Sequence, residues 1–196
     1  MKILQITGAP AAGGAEVFIR DLSTGLVGRG CDVMIVFISH AKDISLSEDF
    51  ESEYLSILDS SNVSYTFLDL KNRLNFITGG IRLRSIVKNF SPNVVHVHLY
   101  YAAIYTFLLK EKTVYTHHNI ELGVPAFFYK LIMNRLIDKY VGICRSCTDM
   151  LENVSGTDVN TIYNGVNDSR ILVKEVYVQS KGVLTLLAVG RITKQK

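Results

Sequence analysis

Four of the chain's five histidines close two apolar runs. His96 and His98 end "VVHVH" at Val94–His98, and His117 and His118 fall in "YTHHN" at Tyr115–Asn119. Residues two apart on a strand share a face, so His96 and His98 point together. His117 and His118 are adjacent and point to opposite faces. For His96 the reading is a hydrogen-bonded histidine of the core. His98, His118 and Asn119 are candidates for polar contacts to a ligand, His118 first among them. No Cys, Asp or Glu stands near these histidines at a recognisable ligand spacing, so no metal site is assigned.

Two other stretches have charge or backbone suited to an anion. Gly8-Ala9-Pro10-Ala11-Ala12-Gly13-Gly14-Ala15-Glu16 follows an apolar run and opens a helical pattern. Glycines let a backbone approach a ligand closely, and a helix start offers unpaired N–H groups. Gly13, Gly14 and Glu16 are the candidates here, beside the plainer reading of a tight strand-to-helix turn. The dinucleotide spacing fails, because Pro10 stands where the second glycine belongs, and the second strand ends in Ser39-His40 without a carboxylate for a ribose. Both features count against an NAD-dependent dehydrogenase. Arg191 and Lys196, five apart in "AVGRITKQK" at Ala188–Lys196, form a basic pair after another apolar run. Cys144-Arg145-Ser146-Cys147 is a C-x-x-C at a helix start, read as structural because it lacks both a second pair for zinc and the early position of a thioredoxin-like motif.

These residues need a scaffold, and the pattern of apolar runs supplies one. Strands are predicted at Lys2–Ile6, Asp32–Ser39, Tyr65–Leu70, Val94–His98, Thr113–His117, Tyr140–Ile143 and Thr161–Tyr163. Helical periods lie between them, at Glu16–Arg29, Leu46–Ser60, Asn72–Phe90, Tyr100–Lys110, Pro125–Asp138 and Arg145–Asn153. This alternation predicts an α/β fold: a Rossmann-like parallel sheet with helices on both faces. Ligands in such sheets gather at the carboxyl ends of the strands, where strand order reverses. Pro125–Arg135 is apolar and aromatic with interspersed basic residues. It reads first as a core-facing helix and second as a contact with an anionic membrane surface.

The chain has 196 residues, is 48% hydrophobic and carries a net charge of +3. That composition supports one sizeable core and argues against a nucleic-acid binder. Three cysteines suit a reducing compartment. No apolar run is long enough to span a bilayer. The expected location is the cytoplasm, with the inner membrane face as a peripheral site.

Taken together, "GGAE" at Gly13–Glu16, "VVHVH", "YTHHN", "IYNGVN" at Ile162–Asn167 and "AVGRITKQK" resemble glycosyltransferase family 4, whose members are retaining enzymes of the GT-B fold. The resemblance implies an amino-terminal, acceptor-side Rossmann-like domain over residues 1–165. It implies a linker over 166–182, and the first strand and phosphate-contacting loop of a truncated donor-binding domain over 183–196. Gly13 and Gly14 would face the donor diphosphate and the acceptor, and His118 would contact the transferred sugar. Arg191 and Lys196 would neutralise the diphosphate, so no cofactor or metal is called for beyond a UDP- or GDP-sugar substrate. The partners implied are that donor and a glycan or lipid-linked acceptor.

Three features depart from the family pattern: Asn167 stands in place of a common Asp, Cys144 in place of a common Ser, and the E-x(7)-E segment is missing. A fragment of this kind is expected to be inactive alone. Its strand 183–189 is expected to seek a partner, on its own sheet or in a second chain as an oligomer. A stand-alone sugar- or lipid-binding module without catalysis is the alternative.

Overall fold

The computed structural model describes residues 1–70, 72–119, 121–122 and 125–165. Seven parallel strands form one sheet in the order β3-β2-β1-β4-β5-β6-β7. They are β1 (Lys2–Thr7), β2 (Asp32–Phe37), β3 (Ser64–Phe67), β4 (Val94–Val97), β5 (Lys112–His117), β6 (Lys139–Gly142) and β7 (Val159–Thr161). The helices are α1 (Gly14–Val27), α2 (Glu48–Ser60), α3 (Phe76–Phe90), α4 (Tyr100–Ile104), α5 (Ala126–Leu136) and α6 (Arg145–Ser155). Every helix links one strand to the next, as the alternating sequence pattern requires.

Two boundaries shift from the sequence reading for a visible reason. β3 ends at Phe67, although Leu68 and Leu70 are buried, because Asp69 takes a left-handed backbone with φ 50°. α4 gives way to a 3₁₀ turn at Tyr105–Leu108, so the predicted single helix over 100–110 is two short pieces. The predicted strand at 183–189 and the linker at 166–182 lie outside the described residues.

The core has two layers. On one face, Ile19 and α2 residues Tyr54 and Leu58 pack on Val33, Ile35 and Phe37 of β2. On the other, α3 to α6 deliver Leu83, Val87, Ala102, Tyr129, Met133 and Leu151 onto Leu4, Ile6, Val95, Val97 and Tyr115. Alternation along β1, β4 and β5 then forces the intervening residues to the α1 side. Those residues are Ile3, Val94 and Val114 towards the amino ends of the strands and Gln5, Thr7, His96, Thr116 and His118 towards the carboxyl ends, so the polar side chains of that face gather at the carboxyl ends.

Strand order reverses between β1 and β4, which pair in register from Ile3 with Val94 to Ile6 with Val97. The loop after β1 and the turns after β4 and β5 therefore meet at one end of the sheet. Further along, α6 approaches β6 closely: a Cβ on Gly142 would lie 2.7 Å from the Thr148 nitrogen. That contact fixes the start of α6, where Cys144 and Cys147 stand.

Candidate functional site

A chain of buried hydrogen bonds runs across the switch point. Ser23, on α1, donates its hydroxyl to the Ile19 carbonyl (2.8 Å). With that proton spent, the Ser23 oxygen accepts from the Gln5 amide nitrogen (2.6 Å). This fixes the Gln5 amide orientation, so its oxygen faces His98 Nε2 at 2.8 Å and accepts from it. A neutral His98 with its proton on Nε2 has only a lone pair at Nδ1. His118 Nε2, 3.0 Å away, must then donate to it. The relay leaves His118 Nδ1 as a bare acceptor, buried and without a partner among the described residues.

Electrostatics keep these rings neutral. Burial, reinforced by the neighbouring His117, pushes the His118 pKa down to about 4. Burial, then His118, lowers His96 to about 4 as well. Burial holds His98 well below the usual value, with His96 and His118 adding to the effect. His96 bonds through Nε2 to Thr116 Oγ1 at 2.7 Å, and its ring centre lies 4.1 Å from that of His98. It is therefore a hydrogen-bonded sheet histidine, as the sequence suggested. Phe18 of α1 sits over the pair, 5.4 Å from the His118 ring and 6.4 Å from the His98 ring.

His98 is 2% exposed and both its ring nitrogens are engaged. Its influence on a ligand passes through His118. His118 is half-buried and Asn119 is exposed, so the turn after β5 reaches the surface. His117 faces the other side of the sheet and pairs with the Tyr115 hydroxyl at 2.7 Å.

Gly13 caps α1 with an extended backbone, φ −77° and ψ 154°. The Glu16 carboxylate folds back over Gly13, where any Cβ would overlap it. A Cβ on Gly14, in contrast, would meet nothing within 4 Å. A side chain at Gly13 would therefore displace the Glu16 carboxylate, whereas Gly14 leaves an open approach to the first turn of α1. The Tyr54 hydroxyl donates to the Glu16 carbonyl (2.7 Å) and ties this turn to α2.

Beside the loop lies a cavity of about 430 Å³, lined by Gly8, Ser39, Leu46, Asn72, Arg73 and Tyr101 among others. Arg73 lies over the Tyr101 ring at 5.4 Å, placing a cation at the cavity wall. The structure thus brings Gly13, Gly14 and Glu16 to one helix start, and His98, His118 and Asn119 to the neighbouring strand ends. Arg191 and Lys196 lie outside the described residues.

Gln5, Ser23 and Phe18 are the participants that motif reading missed. Gln5 did carry a signal: it is a polar residue inside an apolar strand, at a position whose neighbours are buried. No group of three or more His, Cys, Asp or Glu side chains arranged to hold a metal occurs among the described residues.

This architecture is shared with solved glycosyltransferases of the GT-B class. The chain superposes on HepE from Anabaena, crystallised with UDP and glucose, with a TM-score of 0.63 at 14% identity over 86% of this chain and 46% of that one. A glycosyltransferase from Rickettsia africae gives 0.62 at 18% identity, covering 86% and 44%. In sequence, a glycogen synthase of Streptococcus uberis is 30% identical over 62% of this chain and 35% of its own length. The chain therefore spans between about a third and a half of each of these relatives. The model of Glycosyltransferase Family 4 matches residues 12–170, and the chain belongs to that family.

The lowered histidine pKa values link stability to pH. In the unfolded chain these imidazoles titrate near 6.5, whereas in the folded one His96 and His118 titrate near 4. As pH falls below about 6.5 the unfolded state takes up protons first, so stability falls progressively towards about pH 4. Denaturant midpoints measured from pH 7.5 to 4.5 should show this decline. The Gln5→Leu variant, which strands the His98 N–H and the Ser23 oxygen, should lose about 1–3 kcal/mol at neutral pH. Unchanged stability of that variant would show that the relay is not formed.

Proposed function

We propose that this chain is the acceptor-side part of a retaining glycosyltransferase that moves a sugar from a UDP- or GDP-sugar to a glycan or lipid-linked acceptor. The observation that carries this reading is the free Nδ1 of His118 at the switch point. A neutral imidazole with its other nitrogen already committed can accept one hydrogen bond, as from a sugar hydroxyl. It does so without the cost of reorienting during the reaction. Family membership supports the same chemistry, and the bound UDP and glucose of the HepE structure are of the proposed donor class.

The open approach at Gly14 suits the donor diphosphate, because the start of α1 presents backbone N–H groups and the positive end of a helix dipole. The cavity beside Arg73 and Tyr101 suits an acceptor carrying hydroxyls and a negative charge. Arg191 and Lys196 are assigned to the diphosphate by the family resemblance. There they would offset the charge growing on the leaving nucleoside diphosphate.

A lipid-linked acceptor is further supported by the way charge divides along the chain. Residues 1–70, which include α1 and α2, hold four Lys/Arg and ten Asp/Glu. Residues 71–140, which include α3 to α5, hold ten Lys/Arg and three Asp/Glu. On that basic side Ile77, Ile81, Phe127, Phe128 and Leu131 are exposed, Phe127 by 72% and Ile77 by 71%. Pro125–Arg135 was read first as core-facing, but only Tyr129 and Met133 of α5 are buried. Basic charge around exposed apolar side chains suits an anionic lipid surface. No helix among the described residues is long and apolar enough to cross a membrane.

Transfer and donor hydrolysis should be assayed with UDP- and GDP-sugars for this chain and for the chain extended by the coding sequence downstream. Activity is expected in the extended protein, with at least ~100-fold less in the 196-residue chain. In the extended protein His118→Ala should lower turnover by ~100-fold or more. Gly14→Ala should impair donor use while leaving stability equal or up to about 1 kcal/mol higher, since alanine favours a helix. If neither protein turns over any donor but the short chain binds glycan or lipid, the binding-module reading replaces this one.

Vesicle sedimentation tests the membrane contact. Phosphatidylglycerol vesicles should retain the chain and phosphatidylcholine vesicles should not. A Phe127→Ser, Phe128→Ser double variant should lose that retention. Equal behaviour on both vesicle types would exclude the contact.

A further inference from the structure

The C-x-x-C pair has geometry that a purely structural role does not require. Cys144 caps the amino terminus of α6 and Cys147 lies in its first turn. Their sulfurs are 3.3 Å apart, and both thiols are free. Cys144 is partly exposed, whereas Cys147 is 1% exposed. Cys147 Sγ also lies 3.3 Å from the Asn119 carbonyl oxygen and donates to it. Asn119 directly follows His118 on the turn after β5. One thiol thus links the helix start to the residue beside the relay's end.

The two sulfurs differ in the way an attacking and a resolving thiol must differ. The Cys147 backbone N–H, then the Cys147 side chain and the Ser146 N–H, lower the Cys144 pKa. While both are thiols, Cys144 donates to the Cys147 sulfur, whose own proton goes to Asn119. Burial, then the Cys144 thiol, lifts Cys147 to about 11. The exposed sulfur is therefore the nucleophile, and the buried one is held back until its neighbour has reacted. Cys31, the third cysteine, lies after α1 and is not part of the pair.

We propose that Cys144 and Cys147 are a reversible disulfide site whose closure withdraws the Cys147 thiol from the Asn119 carbonyl and so alters the turn that carries His118. The co-reactant is a small disulfide of the glutathione class. Cys144 thiolate attacks one sulfur of the reagent, whose S–S bond breaks and releases one thiolate. Cys147 then gives up its proton to solvent, and its sulfur attacks the Cys144 sulfur of the mixed disulfide. The second reagent thiol leaves. Two protein thiols are oxidised to one disulfide, and one reagent disulfide is reduced to two thiols. The proton that bridged Cys147 to Asn119 is gone from the product, so the Asn119 carbonyl loses its donor.

The test uses the 196-residue chain, isotopically labelled, equilibrated in oxidised and reduced glutathione and then alkylated for mass analysis. Oxidation should leave Cys31 as the only alkylated cysteine, with no glutathione retained. Cys147→Ser should instead keep a glutathione adduct at Cys144. Cys144→Ser should react at Cys147 at least ~10-fold more slowly. Amide and imidazole resonances of Asn119 and His118 should shift on oxidation and return with reductant. Three free thiols under oxidising conditions, or a stable glutathione adduct at Cys144 or Cys147 of the unaltered chain, would overturn the site. A disulfide that forms without moving the Asn119 and His118 signals would overturn its link to the turn.

Discussion

The tautomer of His118 depends on a proton placed four hydrogen bonds away. Ser23 has one hydroxyl proton and gives it to the Ile19 carbonyl of its own helix. Everything downstream follows from donor and acceptor counting: Gln5 must donate to Ser23, His98 must donate to Gln5, and His118 must donate to His98. Each member is buried or half-buried, so water cannot substitute for a missing partner at low cost. The outcome is an imidazole oriented at one nitrogen and unpaired, though buried, at the other. In a polar seam, such preorganisation serves recognition of a hydroxyl better than a flexible side chain at the surface would.

The sheet makes that seam affordable by dividing labour between its faces. Leu4, Ile6, Val95, Val97 and Tyr115 pack in the apolar layer beneath α3 to α6. The alternate residues of the same strands are then free to be polar on the α1 side. Parallel pairing of β1 with β4 and of β4 with β5 sets Gln5, His96, His98, Thr116 and His118 side by side. Strand reversal at this point also brings the start of α1 to the same end. The first turn of α1 and the His118 imidazole therefore converge without any long loop to hold them.

Much of this was legible in the sequence. Strand-helix alternation showed the fold, and "VVHVH" with "YTHHN" located the histidines and their facing directions. The different surroundings of Gly13 and Gly14 were not legible, since they depend on where the Glu16 carboxylate folds. Nor was the relay, because Gln5 and His98 are 93 residues apart and meet only through register. Composition marks α5 as core-facing, and its Tyr129 and Met133 do enter the core. Only the packing shows that Phe127 and Phe128 turn outward. The contact of Cys147 with the Asn119 carbonyl was not legible either, because it joins residues 28 apart that meet only in the fold.

The central claim is that His118 is a neutral imidazole carrying its proton on Nε2 and presenting Nδ1 as an acceptor. Long-range proton–nitrogen spectra of the labelled chain at neutral pH read this directly. His98 and His118 should both show the Nε2–H tautomer, with the His118 Nδ1 signal moving when a hydroxyl-bearing ligand binds. A His118 protonated on Nδ1, or a charged imidazolium at neutral pH, would contradict it.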